Sequence, residues 1–258
     1  YSLYGVFASS EMPKELPLLN REPVPSLYAG YLAEKARREQ AYADRFAAEV
    51  EIAHHRIREV AGNYLLAVHE ISPNLSARER QRYLQERRLV PVIFRQVEEY
   101  LARPESVRHP VLHPWIESVT VPAVEWPKLN HSYGETGPRS GERRAAVSEL
   151  FKDGSVGSLR ELANRYSALF ADCDTIDPQS DPVRESIRQF IRGKDSPLSA
   201  PESEHWNLVQ LVREPLNALK ARIQELDGEH PGAPARAMVL RDKRRPQEPV
   251  IFERGNPS

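Results

Sequence analysis

The sequence contains little cysteine and little glycine. Cys173, within FADCDTID, is the only cysteine among 258 residues, which excludes an intrachain disulfide, a Cys-x-x-Cys redox pair and a thiolate metal cluster. Asp172 and Asp174 flank it and disfavour the thiolate, so we interpret Cys173 as a bystander thiol. Glycine contributes 12 residues and proline 22, so stiff connectors are expected and glycine-rich phosphate loops are not.

The sequence also lacks a strong net charge and a long apolar run. The formal net charge is −1 and the pI is near 6.8, so no overall field draws the chain to nucleic acid or to an anionic membrane. No apolar run approaches the ~18 residues needed to cross a bilayer, so membrane insertion is not expected. Charged residues make up 28% of the chain, which is typical of long, solvent-exposed helices with narrow apolar faces.

A heptad pattern runs through residues 28–71. Apolar residues recur at alternating steps of three and four, and we call these positions the seam. The seam consists of Ala29, Leu32, Ala36, Glu39, Ala43, Phe46, Val50, Ala53, Ile57, Val60, Tyr64, Ala67 and Ile71. The pattern predicts one helix about 65 Å long at about 1.5 Å per residue, capped by Ser26 and ended by Pro73.

A second amphipathic segment follows the short connection formed by residues 72–75. Ser76 and Glu79 have the S-x-x-E spacing of a capping box, and Pro91 is expected to kink the helix or to restart it. Because a short loop brings the neighbouring segment within easy reach, we expect residues 27–103 to form a long antiparallel helical hairpin. An intermolecular coiled coil is the alternative.

The rest of the chain contains a proline-rich stretch and a second helical block. A short helix is expected near Pro114–Trp115. The signals for helix ends in the second block are Ser158 with Glu161, Asp181 with Pro182, Gly193 and Gly228. Pro215 is expected to bend the helix predicted over residues 207–228.

Short strand candidates lie at residues 2–8, 236–242 and 248–256. The predicted fold class is therefore mainly α: a long antiparallel helical hairpin plus a second helical block, with short β elements at both ends. The predicted segments are 1–26, an upstream tail and connector; 27–103, the hairpin; 104–144, a proline-rich linker and loop; 145–229, the helical block; and 230–258, a β-like entry to a downstream domain.

The histidines offer weak signals for a metal site. His109 and His113 lie four residues apart, which on a helix would place two imidazoles on one metal. The prolines beside them disfavour a regular helix and no third ligand is evident, so surface or packed histidines are favoured. His54 and His55 lie off the seam among charged residues, and solvated side chains explain them best.

The acidic run contains four aspartates, Asp172, Asp174, Asp177 and Asp181. Alternating acids can bind calcium, but the glycine and the terminal glutamate of an EF-hand loop are absent, so a solvated, helix-capping loop is favoured. No nucleophile, base and orienting group converge in the sequence. No catalytic, cofactor-binding or metal-binding residue is therefore assigned, and an enzyme acting alone is the least favoured class.

Three stretches of this sequence carry a family resemblance: YSLYGVFASSEMP, YLARPESVRHPVLHPW, and GKDSPL with HPGAPARAMVLRDKRRPQEPVIFERGNP. They resemble a family of large exported multidomain proteins from planctomycetes and related bacteria. In that family a c-type cytochrome domain precedes two cytochrome-associated domains of unknown function. The resemblance extends over most of the chain and is most specific in the end segments.

The resemblance implies that the chain is an internal piece of such a protein. The haem-attachment motif C-x-x-C-H would lie upstream of residues 1–10, and Arg254–Pro257 would lead into the second associated domain. A c-type haem is then expected in the parent protein and none in this segment. The implied partners are the flanking domains and a redox partner, and the implied location is periplasmic or extracellular.

Two hypotheses about function follow. In the first, the segment is a helical spacer and docking platform without a catalytic site of its own, in a parent protein that transfers electrons in connection with polysaccharide degradation. In the second, the chain is a stand-alone interaction module that self-associates through the alanine-rich seam.

Overall fold

The computed structural model describes residues 9–13, 17, 19, 24–72, 74–122, 125–126, 150–151, 155–175, 177 and 181–245. Helices dominate this part of the chain, which confirms the mainly α fold class. The α-helices are α1 (Pro25–Glu59), α2 (Ala61–Glu70), α3 (Ala77–Glu86), α4 (Pro91–Leu101), α5 (His113–Thr120), α6 (Leu159–Thr175), α7 (Pro182–Arg192), α8 (His205–Leu208) and α9 (Arg213–Glu229). Short 3₁₀ helices are Pro104–Arg108, Glu202–Glu204 and Gln210–Val212.

The described residues include two short strands, one near each end of the chain, as predicted. Strand β1 (Ser10–Glu11) pairs antiparallel with β2 (Arg241–Asp242), and Ser10 lies opposite Asp242. Arg241 forms a 2.7 Å ion pair with Glu11 across the two strands. Of the strand predicted over residues 236–242, only Arg241–Asp242 forms. The strands predicted over residues 2–8 and 248–256 lie outside the described residues.

The chain divides into two compact units. Unit 1 comprises residues 1–44 and 214–258, and unit 2 comprises residues 45–213. Helix α1 contributes residues to both units. The five segments predicted from the sequence stay a prediction, because the two units are defined by contacts alone.

Helix α2 forms the centre of unit 2, because it packs against both α6 and α4. Its contact with α6 is close at Gly62, whose backbone N–H donates a 3.0 Å hydrogen bond to Ser167 Oγ. A Cβ atom on Gly62 would lie 1.7 Å from the carbonyl oxygen of Ala163. The absence of a side chain at Gly62 therefore allows the two helices to approach each other.

The predicted continuous helix over residues 28–71 is interrupted. Helix α1 begins at Pro25, one residue before the predicted cap Ser26, and ends at Glu59, and α2 begins at Ala61. Val60 is a turn residue with φ −113° and ψ 19°, which breaks the helical hydrogen-bond ladder. The break coincides with the buried contact between Gly62 and α6, so tertiary packing overrides the local helical pattern here.

Within the chain, the seam is mostly buried in its second half and exposed in its first. Val50, Ile57, Tyr64, Ala67 and Ile71 are buried. The early seam positions Ala29, Leu32, Ala36, Glu39 and Ala43 are exposed.

The face of α1 that is covered within unit 1 lies one residue earlier than the seam, at Tyr28, Tyr31, Lys35 and Arg38. Tyr31 donates a 2.6 Å hydrogen bond to Asp227 on α9, and Lys35 forms a 3.0 Å ion pair with the same carboxylate. Burial of the Tyr31 ring, together with these polar contacts, therefore selects this face.

Several predicted helix ends are confirmed by local geometry. Ser76 and Glu79 form a complete capping box at the start of α3, and Asp181 accepts hydrogen bonds from the backbone N–H groups of Val183 and Arg184 at the start of α7. Pro91 begins α4, so it restarts the helix. The short helix expected near Pro114–Trp115 is α5.

Other predictions about helix ends are wrong. Gly228 lies inside α9, and Pro215 occupies its first turn, where a missing backbone donor does not bend the helix. The long hairpin is not specifically shown, since α4 contacts α2 and α2 packs more extensively against α6.

Candidate functional site

Unit 2 contains a cluster of charged side chains centred on the buried carboxylate of Asp174. His55 Nδ1 lies 2.6 Å from Asp174 Oδ2, and Arg192 Nε donates a 2.7 Å hydrogen bond to Asp174 Oδ1. Arg58 Nε lies 2.7 Å from the same oxygen, in an ion pair without the angle of a hydrogen bond. Glu51 Oε1 completes the cluster at 2.6 Å from Arg58 Nη2 and 3.0 Å from Arg192 Nη2.

These contacts keep the Asp174 carboxylate charged. Burial alone would raise the pKa of Asp174, but the hydrogen bond from His55 and the ion pairs with Arg58 and Arg192 lower it below its ordinary value. Two arginines then balance the carboxylates of Asp174 and Glu51. The cluster therefore holds the Arg58 side chain, which is 2% exposed, in a fixed position.

A cavity of about 770 Å³ opens beside this cluster. Glu51, His54 and Arg58 reach it from α1, where spacings of three and four residues place them on one face. Gln96 on α4 and the segment that follows α7 complete the wall. A cavity of this size is within the range of small-molecule sites.

The buried imidazole of His54 has a defined arrangement. The backbone N–H of Ala200 donates a 3.0 Å hydrogen bond to His54 Nε2, and the ring meets that of His205 edge-on at 5.5 Å. Burial, together with the nearby charges of Arg58 and His205, lowers the pKa of His54. The ring is therefore held in the neutral form, with its proton on Nδ1.

These positions correct two predictions from the sequence. His54 and His55 were expected to be solvated, but His54 is buried and His55 contacts the buried Asp174. Asp172 and Asp174 belong to α6 rather than to a loop, whereas Asp181 caps α7 as expected. The spacing of Glu51, His54 and Arg58 is a local signal that sequence reasoning missed. Asp174, which pairs with His55 and Arg58, is more than a hundred residues away, and no local pattern identifies it.

The histidine pair in HPVLH does not converge on one point. The His109 ring packs 4.3 Å from that of Phe190, and burial lowers its pKa. His113 lies 3.4 Å from Glu117 on its own helix. Within the described ranges, no group of three or more histidine, cysteine, aspartate or glutamate side chains is placed to hold a metal ion. Cys173 is buried in the core.

A different kind of candidate surface lies in unit 1. Seven of the ten large apolar side chains that are exposed in the described part of the chain belong to this smaller unit. These seven are Met12, Leu19, Val24, Leu27, Leu32, Met238 and Leu240. We call them the unit 1 apolar set. Met238 is the most exposed, at 84%.

No protein-family model, curated protein or solved structure matches this chain. Among the described helices, none is both long enough and apolar enough to span a membrane. The candidate sites are therefore interpreted from their own chemistry.

Proposed function

We propose that this chain is a structural and docking segment of a larger exported protein that carries c-type haem, and that it has no catalytic site of its own. The observation that carries the proposal is the concentration of exposed apolar side chains in unit 1. Isolated apolar residues on a surface are ordinary, but a group of them indicates contact with another protein surface.

The composition of the unit 1 apolar set fits an interface between domains. Methionine adapts its shape to irregular surfaces and is enriched at protein interfaces. Met238 and Leu240 lie just before β2, so the exposed residues continue up to an ordered strand. We propose that the flanking domains of the same polypeptide cover these side chains.

The resemblance of the end segments to cytochrome-associated proteins supports the identity proposed for those domains. A haem domain would precede this chain, and a second associated domain would follow it. The parent protein would transfer electrons to a redox partner outside the cytoplasm, in connection with polysaccharide degradation.

The docking role is tested by placing charge on the unit 1 apolar set. The variant Met238→Glu with Leu240→Glu should weaken binding to the separately produced flanking domains by about tenfold or more, because carboxylates would be desolvated at the interface. Ile52→Glu with Val107→Glu changes exposed apolar residues of unit 2 and is the matched control. Equal binding by both double variants would contradict the docking role.

The haem assignment has a separate test. The full gene product and this chain should be produced in a host that attaches c-type haem, and their visible spectra compared. We expect a Soret band in the full product and none in this chain. A full product without haem would remove the cytochrome part of the proposal and leave the docking role to be judged by the binding experiment.

Self-association is the second candidate function. The early seam positions, including Ala36 and Ala43, are exposed on α1, and small side chains there allow another helix to come close. Sedimentation should then show a concentration-dependent dimer that Ala36→Glu with Ala43→Glu dissociates. A wild-type chain that stays monomeric at all concentrations would exclude this candidate.

A further inference from the structure

We propose that the cavity beside Asp174 in unit 2 binds a small hydroxycarboxylic acid. The cavity of about 770 Å³ has room for such a ligand, and its walls carry hydrogen-bonding groups that the described part of the protein leaves without partners. These groups consist mainly of donors, with one buried acceptor, and this balance defines the chemistry of the ligand.

Arg58 is the buried cation of this site. Its Nη2 donates to Glu51 and its Nε lies against Asp174, whereas its Nη1 has no hydrogen-bond acceptor among the described residues. The side chain is 2% exposed and lines the cavity. Because the ion pairs fix the guanidinium, Nη1 can bind a carboxylate oxygen without a further cost in side-chain ordering.

His54 adds a neutral donor on the same helix face. Its Nε2 accepts the backbone N–H of Ala200, so its proton lies on Nδ1. Within the described ranges, no acceptor is within hydrogen-bond distance of Nδ1. His54 and Arg58 are four residues apart on α1, which places their side chains next to each other. Together they offer two adjacent donors to one carboxylate.

Lys194 and Ser199 provide further polar groups at the cavity wall. The Lys194 ammonium is exposed and forms no ion pair with a described residue, and the Ser199 hydroxyl likewise has no hydrogen-bond partner there. An ammonium at the mouth of the cavity attracts an anion and binds its oxygen atoms.

The carboxylates of the wall do not reverse this preference for an anion. Both arginines already compensate the charge of Glu51 through its Oε1. Glu202 also lines the cavity, where its side chain is exposed to water. Asp174 lies behind Arg58 and Arg192 and is fully paired.

Gln96 explains why the ligand should also carry a hydroxyl group. Its Nε2 donates a 3.2 Å hydrogen bond to the carbonyl oxygen of Ser199, whereas its Oε1 is buried and has no hydrogen-bond partner. A buried acceptor without a donor costs free energy. A small shift of the Gln96 side chain would bring Oε1 to a hydroxyl group on the ligand, which would distinguish a hydroxy acid from a simple acid or a phosphate ion.

Isothermal titration of the full chain with malate tests the proposal, with succinate and the diamide of malic acid as matched probes. Succinate lacks the hydroxyl group, and the diamide lacks the negative charges. We expect malate to bind, succinate to bind several-fold more weakly, and the diamide not to bind at millimolar concentration. No heat with malate, or equal affinity for malate and the diamide, would overturn the proposal. Equal affinity for malate and succinate would overturn the role of Gln96.

Lys194→Gln provides a variant that does not disturb the buried cluster. It should weaken malate binding by up to about fivefold, since an exposed ion pair contributes at most about 1 kcal/mol. Lys220→Gln, at an exposed position on α9 outside the cavity, is the control and should bind malate as the wild type does. Equal affinity of the two variants would overturn the location of the site.

Discussion

At the scale of single residues, Asp174 is the side chain on which unit 2 depends most. Its carboxylate is fully buried and is compensated by His55, Arg58 and Arg192. Removing one partner of a buried ion pair leaves the others without compensation, and this costs more than the intact pair contributes. The cluster is therefore a sensitive point for the stability of the unit.

We predict that Asp174→Asn lowers the free energy of unfolding by about 3 kcal/mol, because the buried Arg58 guanidinium and the more exposed Arg192 guanidinium lose their counter-charge. Urea denaturation followed by circular dichroism measures the change. Asp172→Asn is the matched control, since it makes the same substitution at an exposed position on the same helix. Similar losses in both variants would mean that the cluster does not stabilise the fold.

Stability should also depend on pH through the buried imidazoles. The pKa of His54 is lowered in the folded chain, so the unfolded chain takes up the proton first. The stability that the neutral ring provides is present above pH 6.5, the ordinary pKa, and is lost as the pH falls below it. Burial also lowers the pKa of His109, so protonation of this ring adds to the loss of stability. The pKa of Asp174 is lowered as well, so the stability that its charged carboxylate provides is lost separately, as the pH falls below its ordinary pKa of 3.8.

We predict that His54→Gln makes stability less dependent on pH below 6.5, since glutamine offers an oxygen to the Ala200 N–H and does not titrate. Denaturation midpoints at a series of pH values measure this. His69→Gln changes an exposed histidine and should keep the wild-type profile. A His54→Gln profile that matches the wild type would show that His54 does not carry the effect.

Local interactions could be predicted from the sequence, whereas distant ones could not. The bonds of Ser76 with Glu79 and of Asp181 with its helix join residues a few positions apart, so spacing alone identifies them. The contact of His55 with Asp174 joins residues in different helices. The sequence pattern predicted that His55 and Asp174 are solvated. Whether they are buried depends on packing between helices that are distant along the chain.

At the scale of helices, two kinds of packing meet within α1, ahead of the break at Val60. The apolar seam is buried from Val50 onwards, where heptad spacing correctly predicts the face that packs in unit 2. Before Val50, Tyr31 and Lys35 contact Asp227, and these contacts select the neighbouring face of α1. The heptad periodicity predicts that a helix forms. Which face of that helix is buried depends on the elements that pack against it in the folded chain.

Gly62→Ala should disrupt the contact between α2 and α6. The added methyl group would overlap the Ala163 carbonyl oxygen, which belongs to the backbone and cannot rotate away. We predict a loss of about 3 kcal/mol in the free energy of unfolding. Gly228→Ala, inside α9 with open space around it, should instead raise stability by about 0.5–1 kcal/mol. Equal effects at both positions would contradict close packing at Gly62.

At the scale of the whole molecule, the two units suggest different roles. Unit 2 buries an apolar core and encloses the charged cluster, whereas unit 1 exposes most of the large apolar side chains that lie on the described surface. The composition predicted long, solvent-exposed helices, and α1 with 35 residues is such a helix, whereas the other described helices are shorter. It could not predict the concentration of apolar groups in unit 1, because that depends on which residues the fold leaves uncovered.

Amide hydrogen exchange, measured on this chain alone and within its full gene product, tests the docking role most directly. Our account predicts slower exchange at backbone amides around Met238 and Leu240 in the full product, because flanking domains cover them. Amides around Ile52 and Val107 in unit 2 should exchange at the same rate in both samples. Equal exchange around Met238 and Leu240 in the two samples would contradict the proposal that unit 1 is a docking surface.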